Sequence, residues 1–166
     1  MEAAKSIMPE KRADYRRHLF SHVPLFTTRL VKEGCFAFTE RDQVDTPEAV
    51  AVVLQDYFEA KDREEFVIVL LDTANTMIGL SVLSVGGLTA SIVEPRQVFK
   101  LAILANAAGI ICAHNHPSGN PEPSREDVRI TKQLVEAGRL MEVPVLDHLI
   151  ITPDGYTSLS ERGLMR

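Results

Sequence analysis

Gly109-Ile110-Ile111-Cys112-Ala113-His114-Asn115-His116-Pro117 places a short apolar run directly before two histidines. A run of this length, opened by Gly and closed by Pro, has the form of a β-strand buried in a sheet. Alternate strand residues face the same way, so His114 and His116 can aim both imidazoles at one point while Asn115 points away. A second run, Phe66-Val67-Ile68-Val69-Leu70-Leu71, is apolar without alternation and fits a strand covered on both faces. Asp72 to Thr76 then turns the chain and Met77 to Val85 returns as a further strand, broken by Gly86-Gly87.

Helical signals lie between and beyond these strands. Thr46 is an N-cap with Pro47 at the first helical position, and Val50, Val53, Leu54 and Phe58 recur at helical spacing. Pro95 opens a helix carrying Val98, Phe99, Leu101, Ala102 and Leu104. Ser124 opens another, which ends near Gly138 or Met141. Val145 to Ile151 is a fourth strand and Tyr156 to Leu159 a fifth. Helices alternate with buried strands, so the fold class is α/β (α+β) with a mixed central sheet. Residues 1–45 are less regular. Met8 to His22 reads as a helix with Lys11, Arg12, Arg16 and Arg17 on or near one side, a solvated face rather than the alternative nucleic-acid contact, and Arg29-Leu30-Val31 and Cys35-Phe36-Ala37-Phe38 read as short strands around Gly34. His18 and His22 stand four apart without a third ligand nearby and are read as ordinary polar residues.

The whole-chain balance narrows the class of function. With 166 residues, 45% hydrophobic and 25% charged, the chain can bury a substantial core as one domain. A net charge of -5 argues against a surface built to grip nucleic acid, although a local basic patch remains compatible with it. The two cysteines, Cys35 and Cys112, make no disulfide framework and imply a reducing compartment. Met1 to Glu10 has no apolar signal region, and no run reaches the roughly 18 apolar residues of a membrane span, so a cytoplasmic protein is expected.

The chemistry gathers at the His114 strand. Asp127 follows the loop Ser118-Gly119-Asn120-Pro121-Glu122-Pro123 and lies in the first turn of the helix capped by Ser124. A loop of that length can fold this turn back over the strand end. His114, His116 and Asp127 then make a set of two histidines and one carboxylate, the pattern of a catalytic zinc site with one open position. A single strand-end histidine is usually a hydrogen-bonded polar residue, and Ser-x-x-Asp alone is usually a capping arrangement. Their combination in this order, behind an apolar strand, favours the metal reading.

His114-x-His116-Pro117, followed after six residues by Ser124-x-x-Asp127, resembles the JAMM (MPN-type) metalloprotease motif. The wider stretch from His114 through Leu146-Asp147-His148-Leu149-Ile150 is similar to the RadC-like branch of that family, and the likeness runs from about Thr46 to Gly163. The resemblance implies a cytidine-deaminase-like fold, a mixed sheet with helices on both sides. Deaminase chemistry is not implied, because its His-x-Glu and Pro-Cys-x-x-Cys signature is missing. It divides the chain into an N-terminal extension, residues 1–45, and a RadC-like JAMM/MPN domain, residues 46–166.

The resemblance also implies zinc, a glutamate acting as base and a serine binding the oxyanion. Glu64, before the Phe66 strand, has the matching spacing. Glu65 is adjacent and would face the other way, and Glu94 is a weaker competitor because it precedes a helix. Ser124 matches the family serine, although the same hydroxyl must also cap its helix. His148 is expected to make a structural hydrogen bond, with a role behind a ligand or toward substrate as alternatives. Cys112 shares a strand face with His114, and a small buried apolar role is expected for it.

The activity implied is metal-assisted hydrolysis of an amide bond in a protein or peptide. RadC-like proteins often carry an N-terminal helix-hairpin-helix module that binds DNA. Residues 1–78 hold one glycine, Gly34, too few for the glycine hairpin of such a module. A DNA-associated role in repair or a mobile-element setting, and a non-catalytic interaction domain, are the alternative functions.

Overall fold

The computed structural model describes residues 27–34, 46–86 and 93–166. The elements run in the order α1 (Pro47–Phe58), β1 (Glu65–Leu71), β2 (Met77–Val85), α2 (Pro95–Leu104), β3 (Gly109–Asn115), α3 (Arg125–Leu140), β4 (Val145–Thr152) and β5 (Gly155–Ser158). Each expected element from Thr46 onward is present.

The strands form one sheet in the order β2-β1-β3-β4-β5. The hairpin β1–β2, the pair β1–β3 and the pair β4–β5 are antiparallel, and β3–β4 is parallel. The parallel pair requires a crossover, which α3 supplies. Asp72 Oδ1 closes the β1–β2 turn by accepting from the amides of Ala74 and Thr76, both at 2.8 Å.

The all-apolar runs of β1 and β3 are explained by helices on both faces. Val50, Ala51, Leu54 and Phe58 of α1 pack on Val67, Val69, Leu71, Ile111 and Ala113. On the opposite face, α2 and α3 bring Val98, Phe99, Ile130 and Leu134 against Phe66, Ile68, Ile110 and Cys112. Burial of each Val, Leu, Ile or Phe side chain among them contributes about 1.5–3 kcal/mol before entropy is counted. Gly138 permits the close seating of α3, because a Cβ there would lie 2.6 Å from the Val143 carbonyl oxygen.

The starts of α1 and α3 follow from side-chain caps, whereas Glu94 makes no side-chain cap hydrogen bond on α2. Thr46 Oγ1 accepts from the amide of Ala49 at 3.2 Å with Pro47 behind it. Ser124 and Asp127 form a reciprocal capping box on α3. No helix among the described residues is long and apolar enough to cross a membrane.

The N-terminal expectations fare differently. Arg29-Leu30-Val31 is not a strand: residues 27–34 are irregular and exposed, with Leu30 and Val31 turned to solvent. Among the described residues no strand pairs with this segment, and local β-propensity alone does not form one. The expected helix from Met8 to His22, the histidines His18 and His22, and the expected strand from Cys35 to Phe38 lie outside the described residues.

Candidate metal centre

The site forms where the carboxyl end of β3 meets the first turn of α3. His114 projects from the sheet face that packs on α2 and α3, opposite Phe66 on β1 and beside Ile150 on β4. It is fully buried, stacked at 6.4 Å on the Phe66 ring. Two residues on, the half-buried His116 leaves the strand and begins a turn in which Gly119 takes φ +78°, a conformation that favours glycine. His116 Nδ1 lies 2.7 Å from the Asn120 carbonyl, which can only accept, so the proton is on Nδ1 and the Nε2 lone pair faces inward.

His114 Nε2 lies 3.0 Å from His116 Nε2 and 3.5 Å from Asp127 Oδ1. These three residues are the group among the described residues whose donor atoms could hold one metal ion, all within 4.8 Å of one another. A tetrahedral zinc with ligands at roughly 2.1 Å spaces its donors by about 3.4 Å, so the set fits with small adjustments. Asp127 divides its carboxylate. Oδ2 accepts from the Ser124 amide at 2.6 Å, which leaves Oδ1 turned toward the histidines. The capping box therefore aims a candidate ligand as well as starting a helix.

Burial, followed by the neighbouring His116, pushes His114 down to about 3. A proton is a poor occupant for the centre at neutral pH, whereas a metal ion with its own ligand bonds is a suitable one.

The remaining expected residues separate. Glu64 immediately precedes β1, and the Phe66–His114 pairing places it on the face of the two histidines, level with His116. It is half-buried, and its carbonyl accepts from the Gly86 amide at 2.8 Å. Glu65 faces the α1 side, where Tyr57 donates to it at 3.0 Å and Lys61 pairs with it at 3.1 Å. Glu94 is the N-cap position of α2 and pairs with Arg96 in solvent, away from the centre.

Ser124 Oγ accepts from the Asp127 amide at 3.1 Å. This cap uses an oxygen lone pair, so it does not spend the hydroxyl proton, and capping and donation do not compete. Cys112 lies wholly within the core, and burial pushes its thiol far up from the ordinary range. It is not among the converging donors.

Three further residues support the centre from behind. Asn115 faces away from the histidines, as its alternation requires, and its amide bridges the peptides on either side of Glu64. Oδ1 accepts from the Glu65 amide at 2.7 Å, and Nδ2 donates to the Arg63 carbonyl at 2.9 Å. His148, fully buried on β4, stands behind His114, with its Nε2 2.9 Å from His114 Nδ1. Thr131 on α3 touches both His148 Nδ1 and the Asp127 carbonyl. The sequence carries one signal for Thr131: it stands four residues after Asp127 and so shares its helix face.

A family model described as the RadC-like JAB domain matches residues 44–164, most of the chain. The chain belongs to the RadC-like JAB domain family. Similar relatives carry the name UPF0758 protein. One from Salinibacter ruber is 57% identical over 126 residues, covering 76% of this chain and 54% of its own length. One from Moorella thermoacetica is 49% identical over 130 residues, covering 78% and 57%. A relative from Syntrophotalea carbinolica is 40% identical over 165 residues, covering 99% and 69%. The RadC-like chain thus spans about half the length of the first two of these relatives. The mixed sheet with helices on both faces accords with the family.

Proposed function

We propose that this RadC-like domain is a zinc-dependent hydrolase, a peptidase or isopeptidase acting on an amide bond of a protein or peptide. The observation that carries the reading is the convergence of one donor atom each from His114, His116 and Asp127 within 4.8 Å, with His114 Nε2 3.0 Å from His116 Nε2 and 3.5 Å from Asp127 Oδ1. Two imidazole nitrogens and one carboxylate oxygen suit zinc better than a harder cation such as magnesium or calcium. Bound there, zinc supplies a water acidified to a pKa of about 7 and a Lewis acid for the substrate carbonyl.

The protein's own groups divide the remaining tasks. The Glu64 carboxylate takes the proton of the attacking water and returns it to the departing amine nitrogen. The Ser124 hydroxyl donates to the oxygen that gains charge in the transition state. Asn115 fixes the backbone that carries Glu64. The functional unit is residues 46–166, which begins where α1 is capped, with residues 1–45 as an extension. A reducing, cytoplasmic setting suits the buried free thiol of Cys112.

The test has two arms. Protein purified without added metal should hold about one zinc per chain, as one three-ligand site requires. Glu64→Gln should keep that zinc yet lose hydrolysis of a pooled peptide library by on the order of 10²–10⁴-fold. Glu65→Gln, on the opposite face, should retain activity. Absence of zinc, or full activity in Glu64→Gln, overturns the assignment.

A further inference from the structure

We propose that Thr131 and His148 form a positioning relay, anchored on the main chain of Asp127, that holds His114 in the one tautomer able to bind a metal. The inference rests on the zinc reading above and adds residues outside its ligand set.

The argument is a count of protons. Thr131 Oγ1 lies within hydrogen-bond distance of both the Asp127 carbonyl and His148 Nδ1. A hydroxyl has one proton to give, and a carbonyl has none. Thr131 therefore donates to Asp127, the return bond to residue i−4 that threonine often makes in a helix. Toward His148 it can then only accept, which puts the His148 proton on Nδ1 and leaves its Nε2 as a lone pair. That lone pair, 2.9 Å from His114 Nδ1, accepts the His114 proton. The remaining lone pair of His114 is on Nε2, the atom that faces His116 and Asp127.

Reversing every bond would leave Thr131 Oγ1 and the Asp127 carbonyl oxygen in contact with no proton between them and place an N–H at the centre. The 3.0 Å contact between His114 and His116 would then be an ordinary N–H···N hydrogen bond, and the centre would be closed to a cation. The relay decides between these two states. It also ties two ligands together, since the backbone of Asp127 sets the tautomer of His114 while its carboxylate faces the same point. Thr131 is 1% exposed and His148 0%, so water does not replace either link.

Long-range proton–nitrogen NMR correlation on the metal-free full chain reads the tautomers directly. The expected spectrum has His114 and His148 both protonated at Nδ1. Thr131→Val keeps the shape and removes the hydroxyl; it should mix the His114 tautomers and weaken zinc binding by about 10–100-fold in a chelator competition. Thr131→Ser should restore both. A His114 protonated at Nε2 in the native chain, or unchanged zinc affinity in Thr131→Val, overturns the relay. If Thr131→Val fails to fold, the native spectrum alone decides. If the native protein binds no zinc, the hydrolase reading falls, while the tautomer spectrum still accepts or rejects the relay.

Discussion

Replacing Asn115 by Ala isolates the support of Glu64 from the metal ligands. The side chain is 4% exposed and makes two bonds to main-chain groups fifty residues away or more, at 2.7 Å to the Glu65 amide and 2.9 Å to the Arg63 carbonyl. The Glu65 amide is buried and loses its partner outright, at a cost of about 1–3 kcal/mol. The Arg63 carbonyl is near the surface and recovers much of its bond from water, so it adds on the order of 0.5–1 kcal/mol. The expected loss is about 1.5–4 kcal/mol, a large share of the roughly 5–15 kcal/mol stability of a domain. Urea denaturation should show a lower midpoint with an unchanged slope. Hydrogen exchange at the Glu65 amide should quicken while exchange in β4 stays slow. Zinc content should be retained, because Asn115 points away from the ligands, yet turnover should fall as Glu64 loses its fixed backbone. A loss under about 0.5 kcal/mol, or an unchanged Glu65 amide, would refute the clamp, since a buried donor cannot lose its partner without cost.

Other outcomes follow from the same geometry. His116→Ala should remove the zinc while the fold survives, because the His116 backbone amide still donates to the Ile151 carbonyl at 2.8 Å; elemental analysis and circular dichroism check this. Metal-free protein should lose stability as pH falls from about 6.5 toward 3. His114 is pushed down to about 3 from an ordinary 6.5, so the unfolded chain takes up the proton first, and stability is full above 6.5 and declines below it. The slope is at most about 1.4 kcal/mol per pH unit from His114, and His148, lowered chiefly by burial, acts in the same direction. Equal denaturation midpoints at pH 7.5 and 5 would contradict this. DNA should give no tight, sequence-selective gel shift at physiological salt, as a net charge of -5 implies.

The domain from Thr46 onward was legible because its signals are local. Thr46-Pro47 and Ser124-x-x-Asp127 announce helix starts, and uninterrupted apolar runs announce strands covered on both faces. The strand period alone placed His114 and His116 together and Asn115 opposite. What stayed hidden depends on which strands become neighbours. His148 stands behind His114 because β4 lies parallel to β3 in a register that pairs Cys112 with His148. No pattern within Leu146-Asp147-His148-Leu149 contains that information. Asp147 is a similar case: it braces β4 to the end of β5 by accepting from Ser158 Oγ at 2.6 Å and the Ser160 amide at 3.0 Å. Burial nevertheless raises its carboxyl above the usual range. The expected strand at Arg29-Leu30-Val31 is the converse case: its β-propensity is local, and among the described residues no strand pairs with it.

The Asn115 bridge also bears on the order in which this domain assembles. The three candidate ligands come from one contiguous strand-loop-helix segment, and closing so short a loop costs little chain entropy. Glu64 reaches the same face only after β1 has paired with β3, a closure of 50 residues sealed at Asn115. A chain that has formed only the β3–α3 segment would hold the three candidate ligands without the proposed base, and without His148 of β4 behind His114. On the proposed hydrolase reading, the candidate ligands can therefore come together before Glu64, which joins them only once β1 has paired with β3.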